Sequence, residues 1–237
     1  MRGIKILMLI GQVACVFSLP SVQKCKLSDS ACVKASAQAF LPTFAAGIPE
    51  LKTEVLDVMN IDKIKIDIAG LNLDMRDVKV EGVKNSIIDK ISINMEKKKI
   101  SVVYHSDIVM KGQYKASGRL LILPISGDGD FVIKIKRIET SMTMPFELKK
   151  NDAGQDLLDL KSFKYKYDII DNAHFHLTNL FNGNKVLSDA MLKFMNENWK
   201  LISQEFGSPL LEKSQDIIFR SIKTYLNSQT LESITEN

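Results

Sequence analysis

Few residues in this chain stand where chemistry would need them. His174 and His176 are two apart, so a strand would present both on one face and offer two metal ligands. No carboxylate or third histidine supports them at ligand spacing, which makes them solvent-facing strand residues. His105 is isolated. Asp128, Asp130 and Glu139 fall at the first, third and twelfth positions of a calcium-loop frame, but Ile133 occupies the place that requires glycine. That segment also alternates as a strand does, so calcium is excluded there. No G-x-S-x-G elbow, phosphate-binding loop, H-E-x-x-H or dinucleotide fingerprint occurs. With no catalytic constellation and no cofactor motif, the expected function is non-enzymatic, and no cofactor or metal is expected.

The elements around these residues are more informative. The chain has 237 residues, 45% hydrophobic and 25% charged, with a mean hydropathy of −0.01 and few Gly or Pro. These values exclude disorder and collagen-like architectures. Residues 1–18 have the layout of a secretory signal peptide: cationic Met1–Lys5, an apolar run through Phe17, and Val16 and Ser18 before the cut. The run is too short to span a bilayer, for which about 20 residues are needed. Cleavage would leave a single domain over 19–237 and remove Arg2 and Lys5, two of the four excess positive charges. The expected localisation is secreted and extracellular. Cys15 leaves with the signal, and Cys25 and Cys32 are then expected to form one disulfide closing a small loop.

Ala31 to Ala46 carries Val33, Ala37, Phe40, Leu41 and Phe44 at helical steps, with Pro42 inside. The period then changes to two. Ile64, Ile66 and Ile68 alternate with Lys63, Lys65 and Asp67, and the register slips at Val78 and Val80, which predicts a bulge. Ile91, Ile93 and Met95 follow, then a turn over Glu96–Lys99, then Ile100, Val102 and Tyr104. Tyr114 to Ile122 continues the pattern; a turn is expected at Gly127–Asp130, leading into Phe131, Ile133 and Ile135. Phe163, Tyr165, Tyr167 and Ile169 alternate with lysines, and Phe175, Leu177 and Phe181 close the run. One apolar and one wet face per strand, joined by tight turns, reads as an antiparallel meander. Its lysines are interleaved with acids and only five arginines occur in the chain, so nucleic acid is excluded as a partner.

After a turn at Phe181–Asn184, Lys185 to Phe206 reads as a helix with Leu187, Met191, Phe194, Met195 and Ile202 on one apolar face. Gly207-Ser208-Pro209 should interrupt it before a second helical segment ending near Gln229, and the polar tail should fray. A one-sided sheet must cover its apolar face with these helices. The interior between them either fills with side chains or leaves an apolar cavity, with Met142, Met144, Met191 and Met195 as adaptable walls.

Two stretches resemble the insect takeout/juvenile hormone-binding protein family. Cys25-x6-Cys32 with Phe40-Leu41-Pro42 and Gly47-Ile48-Pro49-Glu50-Leu51 is similar to its start, and Val80–Val83 to an early strand signature. Asn179–Lys185, Leu187 and Phe194–Lys200 match its C-terminal motif. The segment after Leu51 lacks the prolines usual there. The second disulfide of the hormone carriers is absent, so the takeout branch is the nearer likeness. The resemblance implies an α+β fold: a highly curved antiparallel sheet wrapped around a long C-terminal helix, enclosing an elongated hydrophobic tunnel. It implies a secreted carrier of a small hydrophobic ligand, terpenoid or fatty-acid-like. The expected ligand-lining residues are Ile66, Ile93, Tyr104, Tyr114, Ile133, Met142, Tyr165, Phe175, Leu187, Met191, Phe194, Met195 and Ile202. A monomer is expected, with room for transient membrane or receptor contact. The rival reading is a filled-core extracellular protein that docks to a receptor.

Overall fold

From Met59 to Leu177 the alternating pattern becomes one seven-stranded antiparallel sheet. The structure, a computed structural model, describes residues 19–236; the expected signal segment lies outside the described residues. Strands β1 (Met59–Ile68) and β2 (Leu71–Glu81) pair as a hairpin, and β3 (Ile87–Asn94) precedes two very long strands, β4 (Lys99–Leu120) and β5 (Leu123–Lys150). β6 (Asp156–Leu160) and β7 (Lys164–Leu177) complete the sheet. β4 and β5 hold 22 and 28 residues, about 70 and 90 Å of extended chain at 3.3 Å per residue. They form the spine: β2 and β3 share the free edge of β4, and β7 and β6 share that of β5.

Strands this long curl, and bulges set where. The slip foreseen at Val78 is a register shift between Arg76 and Lys79 against β4, with Asp77 at φ 50°. Further shifts fall between Ser106 and Ile108 and between Lys136 and Ile138, the latter at Arg137 with φ 51°. Each extra residue bends its strand and raises the local twist. Asp107 fixes the second of these, its carboxylate accepting from the Arg137 amide at 2.8 Å.

Helix α1 (Ser30–Ala45) is capped by Asp29, whose carboxylate accepts from the Ala31 and Cys32 amides at 3.0 Å. Pro42 sits within it. Helix α2 (Lys185–Glu197) starts at Asn184, and helix α3 (Trp199–Ser228) fills the concave side of the sheet. At 30 residues, α3 is about 45 Å long.

Four expectations are corrected. The helical break falls at Asn198, not at Gly207–Pro209. Asn196 spends its carboxamide bracketing Phe175, accepting from its N–H at 2.8 Å and donating to its C=O at 3.0 Å. Asn198 donates to the Phe194 carbonyl at 2.9 Å; both side chains thus compete for backbone groups, which ends a helix. Gly207 instead lies within α3, where a Cβ would stand 2.7 Å from the Tyr167 hydroxyl. The turn expected at Gly127–Asp130 is interior strand; the hairpin tip is Leu121–Ile122. Gly127 and Gly129 are needed for close approach, since a Cβ would meet Tyr114 Oη at 2.5 Å and the Thr178 carbonyl at 2.6 Å respectively. Strand β6 was not foreseen at all. The tail does not fray: helix α4 (Leu231–Ile234) folds back, and Thr235 bridges to Cys25.

The disulfide joins Cys25 to Cys32 as expected, with Cα atoms 5.8 Å apart. Because Cys25 also carries the bridge to Thr235, the loop ties the first and last described segments together. Replacing both cysteines by serine is expected to lower stability by about 2.5 kcal/mol on loop-closure entropy, measurable in a urea denaturation midpoint.

Candidate functional site

Two apolar cavities lie along α3 and share no lining residue. The larger, about 240 Å³, lies towards its C-terminal half. One wall is α1, through Val33, Ala37, Phe40 and Phe44. A second is β3 and β4, through Ile88, Ile93, Ile100 and Val102. The third is α3, through Ile218, Ile222 and Tyr225, and both chain ends complete it with Val22 and Ile234. The smaller, about 50 Å³, is enclosed by Met110, Ile133, Phe175, Ile202 and Phe206.

The α1 wall is held by polar anchors. The Gln38 carboxamide donates to the Ser86 carbonyl at 3.0 Å and accepts from the Ile88 amide at 2.7 Å, docking the helix on the rim of β3. Ser36 donates to the Gln23 carbonyl at 2.8 Å. Phe40 packs tilted against Tyr225 at 4.8 Å between centroids, and the Tyr225 hydroxyl accepts from Val22 N–H and donates to the Pro20 carbonyl. This knot ties α1, α3 and the N-terminal segment around one void.

One hydroxyl on the lining of the larger cavity reaches across to α3. Tyr104 donates to Gln215 Oε1 at 2.8 Å, linking β4 to α3. Burial pushes its phenol up, against the hydrogen bonds of Gln215 and Thr140, which act to lower it. It is therefore a neutral donor at any physiological pH. Gln215 is itself buried.

Of the expected lining residues, Ile93 and Tyr104 stand on the larger cavity and Ile133, Phe175 and Ile202 on the smaller. The others lie off both. Ile66 and Tyr114 are packed in the main core, and Tyr114 donates to the Thr178 carbonyl at 2.7 Å. Burial first, then the Asp128 charge, pushes its phenol to about 12. Met142 is fully buried in a second core cluster with Phe146, Leu158 and Phe219. Tyr165 caps the edge of α3, donating to the Ser208 carbonyl at 3.2 Å, and burial lifts it to about 12, with Glu212 and Tyr167 adding. Met191 and Met195 are core, Phe194 packs against it, and Leu187 is 49% exposed. Their helix, α2, packs on β7 beyond the cavities, because the chain turns at Asn198. The α1 wall was missed as lining, although its apolar stripe at Val33, Ala37, Phe40 and Phe44 was visible in the sequence.

His174 and His176 are exposed on β7. Among the described residues no three His, Cys, Asp or Glu side chains converge as a metal site. No helix among them is long and apolar enough to cross a membrane.

The profile of the haemolymph juvenile hormone binding protein family matches residues 6–236. The chain belongs to that family. Within it, the chain is 30% identical over 194 residues to the circadian clock-controlled protein daywake of Drosophila melanogaster, covering 77% of this chain and 74% of that one. The Drosophila yakuba daywake protein is 28% identical over 213 residues, covering 85% and 81%. The crystal structure of Takeout 1 from Epiphyas postvittana superposes with a TM-score of 0.89 at 43% identity, covering 91% of this chain and 100% of that one. Family membership and this likeness agree on a curled antiparallel sheet with a long C-terminal helix across its concave side.

Proposed function

We propose that this family member is a secreted carrier that holds a small hydrophobic molecule in the larger cavity, with residues 1–18 a cleaved leader and the rest one domain. The observation that carries the reading is the void of about 240 Å³ walled by apolar side chains from α1, β3, β4 and α3. That is close to the lower edge of the roughly 300–1,000 Å³ of small-molecule sites. An apolar cavity of this kind stays dry and favours an apolar guest over water. Ile93 and Val102 would flank the chain of a fatty-acid-like or terpenoid guest, and the Tyr104 hydroxyl, held by Gln215, offers a hydrogen-bonding handle for its polar end. The rival reading, a filled-core docking protein, requires a solid interior, and the void counts against it.

The test is a binding series of linear fatty acids of rising length, displacing cis-parinaric acid. Affinity should climb about fourfold per methylene, at ~0.8 kcal/mol each, until the cavity is full. A flat series, with no apolar molecule seen by native mass spectrometry in protein purified from its source, would overturn the carrier reading.

A further inference from the structure

A third hollow, about 220 Å³, opens on the outside of the seam where β7 meets the first turns of α3. Its lining is of a different kind. Tyr167 and Trp199 supply aromatic surface, Asp168 a carboxylate, Lys200 an ammonium, and Gln204 and Ser208 neutral hydrogen-bonding groups. Asp168 and Lys200 are both exposed, and among the described residues neither takes part in an ion pair. Opposite charges thus face one hollow without neutralising each other, beside two aromatic rings.

The hollow also abuts the smaller apolar cavity. Tyr167, Ile169 and Ser203 line both. The partition is thin: the Tyr167 hydroxyl donates to the Ser203 carbonyl at 2.9 Å, and Gly207 leaves the room it occupies. A polar recess outside and an apolar one inside, with Tyr167, Ile169 and Ser203 as their shared wall, match a head and a tail.

Aromatic faces with a carboxylate recognise a quaternary ammonium, because the ring quadrupole attracts a cation too weakly hydrated to prefer water. A lysine ammonium pairs with a phosphate as a point charge. A carboxylate alone or a lysine alone would select a simple ion; the two together select a zwitterion. We propose that this hollow is a second binding site, for the phosphocholine-type head of an amphiphile, with Asp168, Tyr167 and Trp199 taking the quaternary ammonium and Lys200 the phosphate. Only the first carbons of the tail lie past Tyr167, since the smaller cavity is about 50 Å³. The site is separate from the larger cavity and does not depend on the carrier reading of that cavity.

Trp199 is the one tryptophan in the chain, so its emission reports directly on this hollow. The experiment is a fluorescence titration with free phosphocholine, with dodecylphosphocholine below its micellar concentration, and with dodecyl maltoside. Both phosphocholine ligands should move the emission saturably, the tailed one at least about tenfold tighter, and the maltoside should not. Asp168→Asn should weaken both by about tenfold. Lys200→Gln should weaken both while leaving binding of dodecyltrimethylammonium unchanged. Both positions are exposed, and the variants should retain the parent melting temperature and cis-parinaric acid uptake. No saturable change with dodecylphosphocholine, an equal response to the maltoside, or an unaltered Asp168→Asn variant would overturn the site. Equal affinity for free and tailed phosphocholine would overturn the amphiphile as its source.

Discussion

Ala37→Phe is expected to remove cis-parinaric acid uptake, lowering affinity by at least about tenfold, in a protein that melts no lower than the parent. Ala37 lies on the inner face of α1, between Val33 and Phe40, and lines the larger cavity. A ring at this position projects into the void and takes the space a guest would use. Neither the Asp29 cap nor the Gln38 contacts with β3 use the Ala37 side chain, so both remain, and phenylalanine costs the helix only about 0.5 kcal/mol in propensity. Filling an apolar void commonly stabilises by about 0.5–2 kcal/mol, so binding and stability should move in opposite directions. That divergence separates occlusion from misfolding. Val102→Phe, from the opposite wall on β4, should do the same. A fluorescence titration and a thermal melt on each variant decide it: undiminished uptake in both would place the guest elsewhere.

Gly118→Ala is expected to be strongly destabilising. Gly118 has φ +100°, and a Cβ would stand 2.1 Å from the Gly70 carbonyl oxygen, a backbone atom that cannot swing aside. Strain at this φ and the collision should together cost at least about 3 kcal/mol. At about 2–4 °C per kcal/mol for a chain of this size, the melting temperature should fall by roughly 6–12 °C. Gly70 supplies the control. It lies in the β1–β2 turn just before Leu71, the partner of Gly118, at φ +83°, with nothing within 4 Å of its Cβ position. Gly70→Ala should therefore show only the conformational part, about 1 kcal/mol. If the two melts coincide, the close β1–β2 to β4 approach is not what the glycine serves.

These glycines also show what could be read from the residues and what could not. Alternation over Lys63–Ile68, Ile91–Met95 and Phe131–Lys136 located strands because one face is buried and the other wet, and that signal is local. The hairpin tip was not local in the same sense. Leu121 and Ile122 are apolar, with Leu121 at φ 57°, and nothing in their type marks a turn, whereas Gly127-Asp128-Gly129-Asp130 has turn chemistry yet serves the approach of Thr178 and Leu180 from fifty residues away. β6 was missed since Leu157 and Leu158 are both buried, so its five residues break the alternation. The candidate site was half legible. Ile93 and Tyr104 could be placed on the concave face by alternation. That α2 leaves the cavities at Asn198, while α1 closes the larger one, depends on carboxamide contacts with Phe175, Ser86 and Ile88, which no periodicity carries. The seam around Trp199 needed the juxtaposition of β7 with α3.

The closure of the chain ends bears on time as well as on shape. Val22 and Ile234 stand on the wall of the larger cavity, and they are held there by the Cys25–Thr235 bridge and by the Tyr225 hydroxyl. Terminal segments open at lower free energy than the strands of a core. Here each such opening also breaches the cavity wall. For the proposed carrier, the residence time of a guest would then follow the local unfolding rate of two segments more than two hundred residues apart in sequence, and strengthening the bridge would slow release without adding a single contact to what is held.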